Sequence, residues 1–317
     1  MSSLGIGEPV GSSTAPPRPG ERTQVRRVAL LRGLVRTARP RQWVKNGLVF
    51  AAPFAASAMS DSGVVKRTCA TAAAFCIVSS GTYFLNDVAD VHRDRLHPTK
   101  CRRPIAAGVV PLSLAGIISA VLLLTGLAVA LLVSAPTAVV LLIYVAVVVS
   151  YSTWLKHVPV IDIVAVAGGF LLRAISGAVA AGVAVSGPFL LLASFGAMFL
   201  VVGKREGERM ELGDGAAAHR PSLAAYSLPF TAQLLSVSLT ATVLSYASWA
   251  FNTDAGEPGV PWLALSVLPF VVAMLRATQL VLLGSGADPE ELFLRDRGIQ
   301  AAAAATGILL WLGLYLL

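Results

Sequence analysis

From residue 45 onward the chain is a succession of apolar runs, and that constrains the fold more than any single motif. A hydrocarbon core about 30 Å thick takes about 20 apolar residues wound as a helix. Runs of that order occupy residues 45–60, 67–87, 111–133, 136–154, 160–182, 187–203, 226–251, 261–283 and 298–317. Connections such as VSAPT and VAVSGP carry helix breakers and no charge. The first run is short and is interrupted by Pro53. Charged residues make up 13% of the chain, against about 25% in soluble domains. The expectation is an all-α integral membrane protein, a bundle of nine transmembrane helices.

The formal net charge of +8 would suggest nucleic acid in a soluble protein. In a membrane protein its commoner cause is a basic cytoplasmic face. With the N-terminus inside, 21 of the 25 Lys and Arg residues fall on inner segments. Lys66 and Arg67 fall outside, and Arg173 and Arg276 fall within spans. The outer loop NTDAGEPGVPW is acidic and holds no base. These counts predict a multi-pass plasma-membrane protein in the lipid bilayer, its N-terminus and charged face cytoplasmic, with no nucleic-acid partner. Residues 1–28 are rich in Ser, Pro and Gly and lack the apolar core of a signal peptide. They read as a disordered tail, leaving 29–317 as one domain. Cys69, Cys76 and Cys101 form no CxxC pair, so no disulfide framework or zinc site is implied. Cys69 and Cys76 are expected as small core residues.

One stretch, YFLNDVADVHRDRLHPTKCRRPIAAG (Tyr83–Gly108), crowds acids and bases at the end of the second apolar run. Asp87, Asp90 and Asp94 stand three and four residues apart, which places them on one face of a continuing helix, with Asn86 one turn before Asp90. Carboxylates stacked this closely repel. A divalent cation removes the conflict, and Mg²⁺ is typically held by one or two carboxylates, waters and substrate phosphates. Lys100, Arg102 and Arg103 follow, suited to phosphate oxygens. The plainer alternative is a solvated helix end whose acids and bases neutralise each other. His92 and His97 lack ligand spacing.

A second charged stretch, GKREGERMELGDGAAAHR, follows the sixth run, four spans after the first and hinting at a duplicated four-helix unit. Asp162 and Arg173 lie eleven residues apart on the fifth run, within about 20° of the same helix face. Charge inside a membrane is costly and suggests function. For Arg173 a binding site and a brace of the bundle both stand open. Arg276 has no reading beyond packing or snorkelling.

Five stretches together carry a resemblance: RPRQWVKN (Arg39–Asn46), YFLNDVADVHRDRLHPTKCRRPIAAGVVP (Tyr83–Pro111), GFLLRAISG (Gly169–Gly177), GKREGE (Gly203–Glu208) and LRDR (Leu294–Arg297). The chain resembles the UbiA superfamily of intramembrane prenyltransferases, and more closely its decaprenyl-phosphate phosphoribosyltransferase branch. The resemblance implies a nine-helix UbiA-type bundle, Mg²⁺ as cofactor, 5-phosphoribosyl diphosphate as donor and decaprenyl phosphate as acceptor. The product would feed lipid-linked arabinose donors of cell-wall arabinan. It implies Asp87, Asp90 and Asp94 as catalytic residues that grip a metal-bound diphosphate with Asn86. It also raises Arg41, Lys45, Tyr151, Lys156 and Arg173 to contacts of the acceptor phosphate.

Ordinary members of the superfamily carry a second acidic cluster where this chain has Lys204, Arg205, Glu206, Gly207 and Glu208. Acid is reduced there and base added, as a donor with an extra phosphate requires. Lys204 and Arg205 are therefore expected at the donor, and Glu208 at a metal or a ribose hydroxyl. Two alternatives stay open: a prenyltransferase making a quinone or related lipid, and a transporter of an anionic lipid or metabolite. A homo-oligomer is also left open. Phosphate-loop, nucleophile-elbow and His/Cys metal motifs are absent from the sequence.

Overall fold

The computed structural model describes residues 19–212, 225–254, 259–285, 292 and 295–316. Helix α1 (Pro19–Ala38) is followed by a 3₁₀ segment, Pro40–Phe50, that runs into a short α2 (Ala51–Ala55). Then come α3 (Ser62–Ala89), α4 (Val91–Leu96), α5 (Leu112–Val133) and α6 (Ala135–Thr153). The remainder is α7 (Ile161–Ala181), α8 (Gly187–Leu212), α9 (Leu228–Asp254), α10 (Trp262–Leu280) and α11 (Arg297–Tyr315). Helix α1 begins inside the stretch read as a tail, while residues 1–18 lie outside the described residues. So do residues 255–258 of the acidic loop and Leu294 of the LRDR motif.

Eight helices among the described residues, α3 and α5 to α11, are long and apolar enough to cross a membrane. The first expected span, 45–60, is not a continuous α-helix. Arg39 leaves the helix in a left-handed conformation (φ 52°), uncommon for a residue other than glycine, directly before Pro40, where the right-handed helical region is disfavoured. The chain pivots there and rewinds as 3₁₀. Pro53 has no N–H with which to complete an α-type bond to the Val49 carbonyl four residues earlier. Ser57, also left-handed (φ 54°), ends the segment.

The Val49 carbonyl is used in packing. Its oxygen lies 1.8 Å from where a Cβ on Gly177 would stand, so only glycine lets α7 meet the 3₁₀ segment backbone to backbone. A similar close approach joins α3 to α5: a Cβ on Gly126 would lie 2.4 Å from Val78 Cγ2. Ser119 of α5 ties the same pair by donating to the Gly81 carbonyl at 2.8 Å.

Helix α7 is central and touches the 3₁₀ segment, α2, α3, α6 and α8, while α9 packs on α8 and α10 on α11. The core falls into patches rather than one layer. Val49, Phe75, Val78, Leu141 and Tyr144 form one; Ile163, Phe199, Leu235, Met274 and Ile299 form another. Outward faces carry exposed Leu124, Leu132, Leu244 and Leu268, as expected of surfaces that meet lipid. Cys69 is exposed rather than a core residue, and Cys76 Sγ accepts from Asn46 Nδ2 at 3.2 Å.

Arg276 acquires a role that its sequence position did not show. It pairs with Asp296 Oδ2 at 2.9 Å, and Asp296 caps α11 by accepting from the Ile299 N–H at 2.9 Å. The Arg276 hydrogen bond and that backbone N–H hold the Asp296 carboxyl below the usual range.

Gly177→Val should overpack the α7 contact with Val49 and lower stability by about 1–3 kcal/mol or more. Gly116→Ala, where nothing lies within 4 Å, should be neutral or slightly stabilising. Thermal unfolding of the two variants in detergent checks both; equal midpoints would contradict the close approach.

Candidate active site

Asp90 ends α3 with φ −91° and ψ 3°, and α4 starts at the next residue, so the acidic cluster spans a helix break rather than one continuous helix. The one-turn spacing survives the break: Asp90 N donates to Asn86 O and Asp94 N to Asp90 O, each at 2.9 Å. Asp87 and Asp94 are buried and Asp90 is partly open. Each carboxylate has a cation. Arg39 Nη2 lies 2.7 Å from Asp87 Oδ1. Arg103 Nη1 bridges Asp87 Oδ1 at 3.2 Å and Asp94 Oδ2 at 2.7 Å. Lys156 Nζ stands 3.6 Å from Asp90 Oδ1.

A cavity of about 290 Å³ opens on this cluster. Asn86, Asp90 and Asp94 edge it on one side; Arg93, Lys100, Arg103, Lys156 and His157 supply cationic or imidazole groups, with Tyr151 and Ser152. Asp87 stands behind this lining. Among the described residues no three acidic, His or Cys side chains form a ready-made metal cage, because guanidinium groups stand between the carboxylates. The expected convergence of the three aspartates is therefore not what this state shows. The donor set nonetheless fits Mg²⁺: Asn86, Asp90 and Asp94 offer hard oxygens to the cavity, and that ion needs only one or two carboxylates beside waters and phosphates.

Behind this cavity lies a second charge network. Arg205 is buried, donates to Glu208 Oε2 at 2.9 Å and lies 3.4 Å from the Tyr151 hydroxyl. Its Nε is 3.3 Å from Asp162 Oδ2, near enough for an ion pair although not aligned as a hydrogen bond. Tyr226 donates its hydroxyl proton to Asp162 Oδ1 and accepts from Val160 N at 2.6 Å. Val160 itself has φ 68° and ψ −48°, the centre of a strained γ-turn closed by Ile161 N on Pro159 O at 2.8 Å. A β-branched residue at positive φ is held there only by its surroundings, and the Tyr226 hydroxyl supplies part of that hold.

Arg205 therefore sits in an internal network rather than free for a ligand, and Lys204 is exposed, because consecutive helical residues point about 100° apart. Tyr151 belongs to both groups: it lines the acidic cavity and faces Arg205.

Other expected contacts lie apart. Arg173, also buried, donates to Asn46 Oδ1 at 2.8 Å, Gly169 O at 2.8 Å and the Tyr144 hydroxyl at 2.9 Å. Its guanidinium carbon is 4.7 Å from the Tyr144 ring centroid and 5.7 Å from those of Phe75 and Phe170. No carboxylate among the described residues pairs with it. This geometry braces the 3₁₀ segment, α6 and α7, and does not face the acidic cavity. Lys45 Nζ lies 5.9 Å from the Phe170 ring centroid, Arg102 is exposed outside the cavity, and Arg41 lines a separate groove. Asp162 and Arg173 do not pair, each having its own partners.

A third space, about 300 Å³ and almost wholly apolar, lies between the 3₁₀ segment, α7, α8, α9 and α10, lined by Leu48, Phe170, Phe189, Phe199, Phe270 and Met274 among others. Sequence reasoning missed Arg39, Arg93, Tyr144 and Tyr226. Nothing in spacing could join Arg39 to Asp87, 48 residues on. A buried arginine such as Arg173 does demand acceptors, which is a signal that could have pointed to Tyr144 and Asn46.

Arg205→Met removes a buried cation from beside Asp162 and should cost on the order of 3 kcal/mol; adding Asp162→Asn should recover part of that loss. Unfolding midpoints of the single and double variants check this. Burial, reinforced by the hydrogen bond to Asp162, holds the Tyr226 phenol above its ordinary range. A raised folded pKa gives stability that is present below the unfolded value of about 10 and lost as pH rises through the folded one. Wild type should thus lose more stability than Tyr226→Phe above about pH 10; parallel curves would show that the phenol is not so held.

The sequence pattern of the UbiA prenyltransferase family matches residues 47–316. The decaprenyl-phosphate phosphoribosyltransferase of Mycobacterium tuberculosis is 42% identical over 280 residues, covering 87% of this chain and 92% of that protein. Its counterpart in Corynebacterium glutamicum is 39% identical over 296 residues, covering 90% and 87%. Among solved structures, a UbiA homolog from Archaeoglobus fulgidus bound to GPP and Mg²⁺ superposes with a TM-score of 0.63 at 16% identity, covering 89% of this chain and 98% of that one. The apo UbiA homolog from Aeropyrum pernix gives 0.59 at 18% identity, covering 83% and 96%. At such identities the structural likeness is one of fold.

Proposed function

This chain belongs to the UbiA prenyltransferase family, and from that premise we propose that it transfers the phosphoribosyl group of 5-phosphoribosyl diphosphate to decaprenyl phosphate. The observation that carries this reading is the 42% identity, over 87% of the chain, to a decaprenyl-phosphate phosphoribosyltransferase. The cavity supports it, because oxygen donors for a divalent cation and cations for phosphate line the same space.

In this reading Asn86, Asp90 and Asp94 hold Mg²⁺, with Asp87 behind them. When bound, that ion supplies charge neutralisation to the leaving diphosphate. Arg103, which now bridges Asp87 and Asp94, exchanges carboxylate for diphosphate oxygen as the donor enters. Arg93 and Lys100 take further phosphate oxygens. Lys156 and Tyr151 face the acceptor phosphate, and Arg205 with Glu208 position Tyr151. Lys204, exposed beside this network, serves the donor's 5-phosphate on entry.

The acceptor's phosphate oxygen forms a bond to the anomeric carbon while the bond from that carbon to diphosphate breaks, its electron pair leaving with the diphosphate. The carbon passes through oxocarbenium character and inverts, as in related glycosidic chemistry. No strong base is needed, since a phosphate monoester near neutral pH is already ionised. The apolar cavity beside Phe170 and Phe189 receives the first units of the polyprenyl chain.

Nine crossings fit the fold if the 3₁₀ segment with α2 counts as the first. At about 2.0 Å per 3₁₀ residue and 1.5 Å per α residue, Pro40–Ala55 spans about 30 Å, the thickness of the hydrocarbon core. The distribution of Lys and Arg supports an N-terminus and an acidic cavity at the cytoplasmic boundary.

Purified protein with Mg²⁺, labelled 5-phosphoribosyl diphosphate and decaprenyl phosphate should yield lipid-extractable label that a chelator abolishes. Asp90→Asn and Asp94→Asn should each lower turnover by about 10²-fold or more. Product formed only from a prenyl diphosphate and 4-hydroxybenzoate would replace this reading with prenyl transfer. Unaltered turnover in both variants would remove the acidic cavity from the chemistry.

A further inference from the structure

Helix α1 has two apolar stripes, and the bundle uses only one. Leu30, Leu34 and Ala38 pack on the cluster of Phe84, Val91, Ile105 and Val110, and Gly33 admits Val110 to within 3.0 Å of its would-be Cβ. Val28, Leu31 and Val35, at helical spacings of three and four, are 41%, 62% and 60% exposed. Arg32 and Arg36 stand one residue beyond Leu31 and Val35 and are exposed as well. Together with Arg39, Pro40, Arg41 and Gln42 these residues enclose a groove of about 700 Å³. Four guanidinium groups line it and, among the described residues, no carboxylate does. Arg39 is committed to Asp87. Among the described residues, Arg32, Arg36 and Arg41 have no hydrogen-bond, ion-pair or ring partner.

A helix with an exposed apolar stripe beside a row of arginines is built to lie in the plane of a membrane interface, apolar side toward the acyl chains. The Arg39–Asp87 contact puts the groove at the same membrane boundary as the acidic cavity. Exposed Trp43 and Val44 continue the apolar surface from the mouth of the groove along the first crossing. We propose that the groove binds the headgroup phosphate of an anionic phospholipid from the surrounding leaflet. Arg32, Arg36 and Arg41 meet the phosphate, and Leu31 and Val35 meet the first carbons of its acyl chains. A soluble phosphate would leave that apolar stripe unused, whereas a lipid of the leaflet covers both. Guanidinium groups suit the partner because their fixed donor fork matches two phosphate oxygens at once. Arg39 is shared between the groove and Asp87, so occupancy of the groove bears on the acidic cluster. The inference stands on the groove alone and does not depend on which group the enzyme transfers.

The test uses the full chain, delipidated in detergent and re-exposed to phosphatidylglycerol or phosphatidylcholine of the same acyl length, with retained lipid counted by native mass spectrometry. Wild type should retain phosphatidylglycerol over phosphatidylcholine by about tenfold or more, the scale expected for two or three arginines at a membrane surface. Arg32→Gln with Arg36→Gln should abolish that preference while leaving the unfolding midpoint unchanged, since both side chains are exposed and neither has a partner among the described residues. Arg26→Gln with Arg27→Gln, outside the groove, should leave the preference intact and so separates a site from general basicity. Equal retention of the two lipids, or an undiminished preference after the Arg32 and Arg36 changes, overturns the proposal. Retention of decaprenyl phosphate without phosphatidylglycerol also overturns it and makes the groove a station for the acceptor. So does release of bound phosphatidylglycerol by excess inorganic phosphate as readily as by added phosphatidylglycerol, which would mark a soluble-anion site.

Discussion

A carboxylate at the edge of an apolar bundle must find a cation within reach, because neither lipid nor packed helix can solvate it. Much of the polar architecture follows from that demand. Asp87 is compensated by Arg39 and Arg103, Asp94 by Arg103, Asp90 by Lys156, and Asp162 by Arg205. These partners come from far along the chain. Bringing Arg39 to Asp87 takes the pivot at Arg39; bringing Arg103 takes the return of the chain after α4. The ion pairs thus fix how the loops at this boundary run, and the cavity is the space they leave.

Compensation of this kind also keeps the site ready for an anionic ligand. A guanidinium that rests on carboxylates in one state can turn to phosphate oxygens in another without either charge being stranded. Asp90 and Lys156, the more open pair, lie on the cavity wall, while the buried Asp87 holds the rear. Tyr151 joins this wall to Arg205 and, through Asp162, to the strained turn at Val160. Tyr151 is thus common to the cavity wall and the buried network, and Tyr226 carries that network on to Val160.

Periodicity and charge made part of this legible in advance. Of the nine apolar runs read as crossings, eight are long apolar helices among the described residues, because a helix in lipid satisfies its own backbone and needs only length and greasiness. Asn86, Asp90, Asp94, Lys100, Arg103, Tyr151 and Lys156 were each singled out from the sequence, and the structure gathers them around one cavity. Short-range spacing and clustered charge carried the residues from Asn86 to Arg103, and the family resemblance carried Tyr151 and Lys156. Spacing alone did not show that the helix breaks at Asp90, nor that Arg103 bridges Asp87 and Asp94 across the break. Nor could it separate Arg205 from Lys204, whose roles differ only by which side of α8 meets α7. Arg173 shows the limit most clearly. Its burial was foreseeable, but whether it meets ligand or protein turns on Asn46 and Tyr144, 127 and 29 residues away.

The winding of Pro40–Phe50 has a mechanical corollary. Eleven residues in 3₁₀ form are about 5 Å longer than the same residues in α form, close to one α-helical turn. The stretch is held at its far end by the Val49 carbonyl against Gly177 and along its length by Asn46 on Arg173 and Trp43 on Ser80, and its added reach is delivered at its near end. That near end is Arg39. Wound as an α-helix, the same eleven residues would stop short of Asp87 by more than a hydrogen bond's length, so the more extended winding is what carries a guanidinium to the cavity's rear wall.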